Sequence, residues 1–309
     1  MASWSKLLSE ASKLANPLEY LDLKRTELLK SISDKTQRNV ITYYSAWLTK
    51  PGIANLDIGD GDKNAFMQAI YQMDKTKGLD LILHTPGGDI AAAESIVDYL
   101  HLVFGDDIRA IVPQMAMSAG TMIALSAKEI IMGKQSNLGP IDPQFGGMSC
   151  AGILEEFNTA LKDVSQNPAH KDLWGLIIGK YHPTFLGDCK KAIEWSETMV
   201  KDWLLDNMFF DDVNKDSSVD KIVSALSSHS ETYSHQKHIH IDELRNLGLK
   251  VIPLENLDNR KIGGCKDLQD CVLTLHHAYM QTLANSNAIK IIENQKADGL
   301  MITVSMKNL

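Results

Sequence analysis

The strongest constraint on the fold is an alternation of short apolar runs with amphipathic stretches. Residues 79–84 (LDLILH) form a nearly unbroken apolar run that is stopped by TPGG, as expected for a strand buried on both faces. Residues 90–104 follow with apolar side chains at helical spacing, and Gly105 ends this pattern. Repeated strand–helix units of this length predict a largely parallel sheet with right-handed crossovers.

The same alternation occupies the rest of the first half of the chain. Residues 38–48 are rich in β-branched and aromatic side chains and indicate a strand. Residues 62–73 open on an aspartate suited to a helix N-cap and carry one apolar face, which indicates a helix. Short strands are predicted at 108–112 and 129–132, on either side of a helix that starts at Ser118. The fold class is therefore α/β.

After residue 150 the pattern becomes mostly helical. Helices are predicted at 153–164, 189–208, 219–226 and 268–283, and a strand is predicted within 247–255. We expect an N-terminal helical segment (1–37), an α/β core (38–150) and a helical extension (151–309) that completes the same domain.

Composition and charge exclude several kinds of partner. The 309 residues carry a net charge of −8 and no block rich in lysine or arginine, which argues against a nucleic-acid partner. The chain lacks the apolar run of a secretory signal and the roughly 18 apolar residues of a membrane span. It also lacks a GxGxxG dinucleotide motif. Cys150, Cys189, Cys265 and Cys271 fit no metal or redox spacing, so we expect reduced thiols and a cytoplasmic location.

Two motifs with polar and small residues follow neighbouring predicted strands. HTPGGD contains Gly87 and Gly88, whose backbone N–H groups are free to point at a ligand oxygen, and MSAG contains Ser118. Both motifs fall at the carboxyl ends of parallel strands, where open α/β folds place their sites. Ser118 is either a helix cap alone or an exposed nucleophile, with the N–H of Ala119 beside it as a second donor to an oxyanion.

The order of these motifs resembles a known family. A strand, TPGG, an amphipathic helix, a strand, MSAG, a helix of small residues and then SNLGPIDPQ resemble the Clp-fold (crotonase-like) serine peptidases. The likeness is closer to the serine dehydrogenase proteinase family within them, and it extends over about 38–293, including LHHAYMQT and AIKIIEN. It implies a Clp-like α/β fold, a peptide or protein substrate, a homo-oligomer, and neither a metal nor an organic cofactor.

The resemblance also implies roles for individual residues. Ser118 corresponds to the nucleophile of a serine peptidase, and the oxyanion would be held by the backbone N–H groups of Gly87 or Gly88 and of Ala119. Two rival functions stay open. A crotonase-type acyl-CoA enzyme would share the fold and the paired N–H groups without needing Ser118, and a non-catalytic scaffold would keep the fold alone.

The general base has several candidates. Asp142 stands where the histidine of the Clp proteases would align, and the signal peptide peptidase branch uses a serine–lysine dyad instead. The stretch GKYHP offers Lys180 and His182, with Lys180 ahead because a lysine would keep the dyad. Further lysines downstream of the serine are Lys190, Lys191 and Lys201.

Other histidines are interpreted as structural. His84 ends the strand before the two glycines and could face Ser118, although a buried, hydrogen-bonded role is the simpler interpretation. His235, His238 and His240 lie close together in sequence, as zinc ligands on alternate strand positions do, but no further ligand motif accompanies them. We expect a surface turn there and no metal site.

Overall fold

The computed structural model describes residues 4–228, 234–257 and 267–304. Its strands, in chain order, are β1 (Asn39–Ser45), β2 (Leu79–His84), β3 (Ile108–Val112), β4 (Met115–Ala116), β5 (Glu129–Met132), β6 (Asn137–Leu138), β7 (Gln144–Phe145), β8 (Met148–Ser149), β9 (Ile239–His240), β10 (Val251–Pro253), β11 (Ala288–Asn294) and β12 (Gly299–Thr303).

The main sheet of the described residues has seven strands in the order β10-β5-β3-β2-β1-β11-β12. The five strands from β10 to β1 are parallel, and β11 and β12 add to the β1 edge in antiparallel orientation. A small sheet, β4-β6-β9, lies beyond the carboxyl ends of the main strands, and β7 and β8 form a hairpin. The predicted α/β fold with a mostly parallel sheet is confirmed.

Helices cover both faces of this sheet. They are α1 (Trp4–Ala11), α2 (Pro17–Thr36), α3 (Asp62–Ile70), α4 (Ile90–Phe104), α5 (Ala119–Leu125), α6 (Cys150–Gln166), α7 (Lys171–Ile178), α8 (Phe185–Trp203), α9 (Lys215–Ser227), α10 (Ile241–Leu247) and α11 (Leu268–Asn285). Among these helices, none is both long enough and apolar enough to pass through a lipid bilayer.

The hydrophobic core consists of two large clusters, one on each face of the sheet. Strand β2 shows the division, because Leu81 and Leu83 join the cluster with α3, α4 and α5, whereas Ile82 joins the cluster with α2 and α11. All six residues of β2 are buried, which confirms the prediction of a strand enclosed on both faces. His84 follows the Ile82 side of the strand and so faces α11.

Residues 150–195 form a region that we call the helical arm. It consists of α6, α7 and the first half of α8, and its own small cluster includes the buried side chains Cys150, Ile153 and Cys189. Every residue of α7 keeps part of its surface exposed. The second half of α8 returns to the main core through Met199 and Val200. The arm is therefore attached to the core at both of its ends.

Four predicted elements have the boundaries expected from the sequence, namely 79–84, 90–104, 108–112 and 129–132. Most other elements are shifted by a few residues, as capping and fraying at helix ends lead one to expect. Strands β11 and β12 were not among the predicted elements. They place part of the C-terminal half of the chain inside the main sheet, beside β1.

Candidate active site

Ser118 lies at the sharp turn between β4 and α5. Its backbone angles, φ 51° and ψ −119°, are unusual for a residue with a side chain, and such strain costs about 1–3 kcal/mol. Ser118 occupies the N-cap position of α5, yet its hydroxyl makes no capping hydrogen bond. The alternative of a helix cap alone does not fit this geometry. Ser118 lines a cavity of about 830 Å³.

The turn with two glycines packs directly against Ser118. Thr85 is bonded to both sides of Ala116, because its N–H donates to the carbonyl of Met115 (3.1 Å) and its carbonyl accepts from the N–H of Met117 (3.0 Å). Gly87 has φ +102°, and a Cβ built on it would lie 2.6 Å from the Cβ of Ser118. Close approach of the two motifs therefore requires glycine at position 87.

The backbone N–H groups of Gly88 and Ala119 lie near Ser118 and have no acceptor within the described chain. The N–H of Gly87, by contrast, donates to Thr85 Oγ1 at 3.2 Å. Of the two glycines named from the sequence, Gly88 is the one whose N–H is available to a ligand oxygen.

A histidine–carboxylate pair lies in the same cavity. His235 Nδ1 is 2.7 Å from Asp142 Oδ1, and both residues line the cavity together with Ser118. The Asp142 side chain is 1% exposed and that of His235 is 20% exposed. The buried carboxylate of Asp142 thus binds one ring nitrogen of His235, and the rest of the ring stays partly accessible.

Two short strands create this pair. In the antiparallel pairing of β6 with β9, Leu138 lies opposite Ile239, so the chain just before β9 lies beside the chain just after β6. His235 stands before β9 and Asp142 stands after β6. The second carboxylate oxygen of Asp142 is buried and has no hydrogen-bond partner among the described residues.

The rest of the cavity wall has an apolar part and a charged part. Met122 and Ile141 line it from the core, and Trp195 lines it from the helical arm. Trp195 Nε1 donates to Glu94 Oε1 across 3.3 Å, which connects α8 to α4. Side chains of both charge signs also border the cavity: Asp57, Asp89, Asp188 and Lys191.

The lysine and histidine of GKYHP lie elsewhere. Lys180 and His182 are exposed in the turn between α7 and α8, and neither is among the described residues that line the cavity. His182 Nδ1 faces Thr184 Oγ1 at 3.3 Å. Both residues are in the helical arm, and the structure does not bring them to Ser118.

The other lysines considered as bases differ among themselves. Lys191 lines the cavity from α8, whereas Lys190 is exposed outside it. Lys201 is paired with Asp220 at 2.6 Å, and the hydrogen bond to this carboxylate raises the pKa of Lys201. That shift is opposite to the lowered pKa that a lysine base requires.

His84 is buried away from the cavity. Its ring stacks on Tyr44 at a centroid distance of 5.2 Å and is tilted against Trp47 at 4.3 Å, and its Nε2 is 3.0 Å from Gln114 Oε1. Burial lowers the pKa of His84 to about 4. These contacts fit the expected structural histidine.

His235 lies in the segment predicted to be a surface turn, where zinc binding is the only alternative that the sequence offers for it. His238 and His240 are exposed, and no group of three metal-ligating side chains occurs within the described residues. The only sequence clue is indirect: because Asp142 occupies the position of the Clp histidine, a histidine base would come from another part of the chain.

The fold and the site define an α/β protein with a serine on a strained turn at the carboxyl edge of a parallel sheet. Residues 13–256 match the model of the ClpP-like SDH-type serine proteinases, and the chain belongs to this family. The resemblance inferred from the sequence motifs is thereby confirmed.

Two similar proteins come from Methanocaldococcus jannaschii, and both are described as uncharacterized. One is 32% identical over 246 residues, which is 77% of this chain and 77% of that protein. The other is 33% identical over 190 residues, which is 62% of this chain and 57% of that protein. This chain therefore spans little more than half the length of the second relative.

Proposed function

We propose that this protein is a serine peptidase in which Ser118 is the nucleophile and His235, oriented by Asp142, is the general base. The observation that carries the proposal is that Ser118, on its strained turn, shares one cavity with a histidine–carboxylate pair 2.7 Å apart. Membership in a serine proteinase family supports the reaction class.

The proposed reaction assigns one step to each of these groups. The hydroxyl oxygen of Ser118 attacks the peptide carbonyl carbon, and its proton passes to Nε2 of His235. Asp142 accepts the Nδ1–H of His235, which leaves Nε2 unprotonated before the attack and stabilises the imidazolium after it. The N–H groups of Gly88 and Ala119 donate to the oxyanion.

The second half of the reaction uses the same groups. The imidazolium of His235 gives its proton to the departing amine, and the C–N bond breaks to leave an ester on Ser118. A water molecule then attacks this ester with His235 again as the base, which releases the acid and restores the serine.

Two arguments favour His235 over the bases expected from the sequence. His235 lines the cavity of Ser118, whereas Lys180 and His182 do not. The buried carboxylate of Asp142 also fixes the orientation of the His235 ring, and a general base needs a fixed orientation. The serine–lysine dyad stays a rival through Lys191, which lines the cavity but is exposed.

The test is labelling with a fluorophosphonate probe, which reacts with activated serines. We expect the wild type to be labelled and Ser118→Ala to stay unlabelled. Ser126→Ala is the matched control, since Ser126 is a buried serine at the other end of α5. Equal labelling of Ser118→Ala, or no labelling of the folded wild type, would contradict the proposal.

The rival functions predict different results. A crotonase-type enzyme would bind acyl-CoA and keep its activity in Ser118→Ala, and a scaffold would give neither labelling nor turnover. The shared cavity of Ser118 and the His235–Asp142 pair favours the peptidase, because neither rival needs a hydroxyl there.

A homo-oligomer and a cytoplasmic location belong to the same proposal. Leu161, Leu173 and Leu176 are exposed on the helical arm and offer apolar surface to a second copy. The thiols of Cys150 and Cys189 are free and buried in one cluster, as expected in a reducing compartment. Light scattering after size-exclusion chromatography would measure the oligomeric state.

A further inference from the structure

A buried ion pair holds the loop that precedes α3. Lys290 Nζ, on β11, lies 2.9 and 2.8 Å from the two carboxylate oxygens of Asp62 and 2.5 Å from the carbonyl oxygen of Asp57. The side chains of Lys290 and Asp62 are 4% and 2% exposed. All three N–H donors of this lysine are therefore used inside the protein.

Asp62 is also bonded to its own loop. Its Oδ2 accepts hydrogen bonds from Tyr43 Oη at 2.8 Å and from the backbone N–H of Gly59 at 3.0 Å. One carboxylate thus joins β1, β11 and residues 57–61. The loop is held at Asp57 and at Gly59, on either side of Ile58.

Ile58 is the residue that contacts the turn beside Ser118. Its N–H donates to the carbonyl of Gly87 at 2.7 Å, and its carbonyl accepts from the N–H of Asp89 at 2.9 Å. These two bonds form a parallel bridge between Ile58 and Gly88. In such a bridge the N–H of Gly88 points away from Ile58, which leaves it available on the other side.

Stability alone does not account for this pair. Burying two charges costs several kcal/mol, and well-packed apolar side chains often serve stability as well or better. An apolar pair could not bond the carbonyl of Asp57 or the N–H of Gly59. The retained charges therefore fix the backbone on both sides of Ile58.

We propose that Lys290 is a positioning residue for the N–H of Gly88. Through Asp62 and Asp57 it fixes the loop, and through Ile58 the loop sets the direction of this N–H toward the cavity of Ser118. Lys290 lies beyond residues 13–256. In this proposal a residue of the C-terminal strands therefore positions a backbone group within the region that the family model matches. The catalytic consequence rests on the proposed function, whereas the positioning itself does not.

The test compares Lys290→Met with Arg109→Met. Arg109 Nε is 2.8 Å from Asp80 Oδ1, and Asp80 keeps a second partner in Arg38, also at 2.8 Å. This control thus breaks a comparable ion pair near the amino ends of the strands, far along the sheet from Ser118. In both variants the carboxylate that loses its partner keeps other donors.

The first readout is amide hydrogen exchange, which needs no activity. We expect the N–H groups of Ile58 and Asp89 to exchange about 10-fold faster or more in Lys290→Met than in Arg109→Met, at conditions where the two variants have equal global stability. Unchanged exchange at both amides would overturn the proposal, whether or not the protein is a peptidase.

The second readout is reaction with the fluorophosphonate and inhibition by a peptide boronate, which mimics the tetrahedral intermediate. Lys290→Met should lower the labelling rate and the boronate affinity by a similar factor, about 10- to 100-fold, with little change in KM for a peptide. Arg109→Met should change each by less than about 2-fold. Equal losses in both variants, or a change in KM alone, would overturn the positioning role.

A milder variant covers the case in which Lys290→Met does not fold. Tyr43→Phe removes one hydrogen bond to Asp62 and keeps the ring, so the same two readouts should change in the same direction by a smaller factor. Normal exchange at Ile58 and a normal labelling rate in Tyr43→Phe would contradict the proposal. If the wild type itself is not labelled, the proposed function fails, and the exchange rates still decide the positioning.

Discussion

The α/β core and the helical arm contribute to one cavity in different ways. The core supplies Ser118, whose backbone is fixed by packing against Gly87, and the arm supplies Trp195, whose side chain is 42% exposed. Strain such as that at Ser118 persists only where the surrounding structure determines the conformation fully. Chemistry that needs fixed atoms thus belongs to the core, and the arm is suited to shaping the space around them.

The largest expected effect distinguishes His235 from the candidate bases of the arm. His235→Ala should lower the rate of fluorophosphonate labelling by about 10²- to 10⁴-fold, because the Ser118 hydroxyl loses its proposed base. Lys180→Ala and His182→Ala should change it by less than about 2-fold, since both side chains are exposed outside the cavity. A large loss in Lys180→Ala with none in His235→Ala would move the base to the arm.

The same glycine substitution should have opposite effects in the two regions. Gly87→Ala is expected to destabilise the fold by about 2–4 kcal/mol, because φ is +102° and the new Cβ meets Ser118. Gly175→Ala, in the middle of α7, meets no atom within 4 Å and should stabilise the helix by about 0.5–1 kcal/mol. Urea unfolding measures the change in the free energy of unfolding for each variant. Equal losses of stability in the two variants would contradict the expected difference between core and arm.

Histidines of the two regions should differ in how they link stability to pH. Burial lowers the folded-state pKa of His84 from 6.5 to about 4, so the unfolded chain binds a proton that the folded chain does not. Stability is therefore lost as the pH falls from about 6.5 toward 4, by roughly 2 kcal/mol at pH 5. The ring centroids of His276 and His84 are 5.1 Å apart, and burial lowers the pKa of His276 as well. Part of the dependence of stability on pH should therefore remain when His84 is replaced.

The variants for this measurement are His84→Gln and His182→Gln. Urea unfolding between pH 5 and 7 should give a flatter stability profile for His84→Gln than for the wild type. His182→Gln should reproduce the wild-type profile, because that ring is exposed to water. A wild-type slope in His84→Gln would show that His84 does not carry this pH dependence.

Much of the fold could be predicted because its signals are local. Strand β2 is a short apolar run ended by TPGG, and α4 has an apolar face with a capping Asp89, whose carboxylate accepts from the N–H of Ala92 at 2.9 Å. Ser118 and the two glycines are proposed as site residues on the same kind of signal, since both motifs follow predicted strands. Such features depend on residues that are close together in the sequence.

The partner of Asp142 could not be predicted in this way. His235 is 93 positions away from Asp142, and the two meet through strands of two residues each, which are too short to show periodicity. The stretch GKYHP favours Lys180 only because a lysine there would keep a serine–lysine dyad. Tertiary packing determines the direction of the turn between α7 and α8, and no local sequence pattern predicts that direction.

The smallest expected effect concerns the contribution of the arm to substrate binding. Trp195→Ala removes an apolar wall of the cavity and the hydrogen bond to Glu94, so KM for a peptide with large apolar side chains should rise about 5-fold, or roughly 1 kcal/mol. The rate of labelling by a small fluorophosphonate should stay the same, because Ser118 and His235 keep their positions. Leu176→Ala, equally in the arm but outside the cavity, is the matched control and should leave KM unchanged. A fall in labelling rate for Trp195→Ala with unchanged KM would mean that the arm helps to hold the reacting groups, and the division between core and arm would no longer stand.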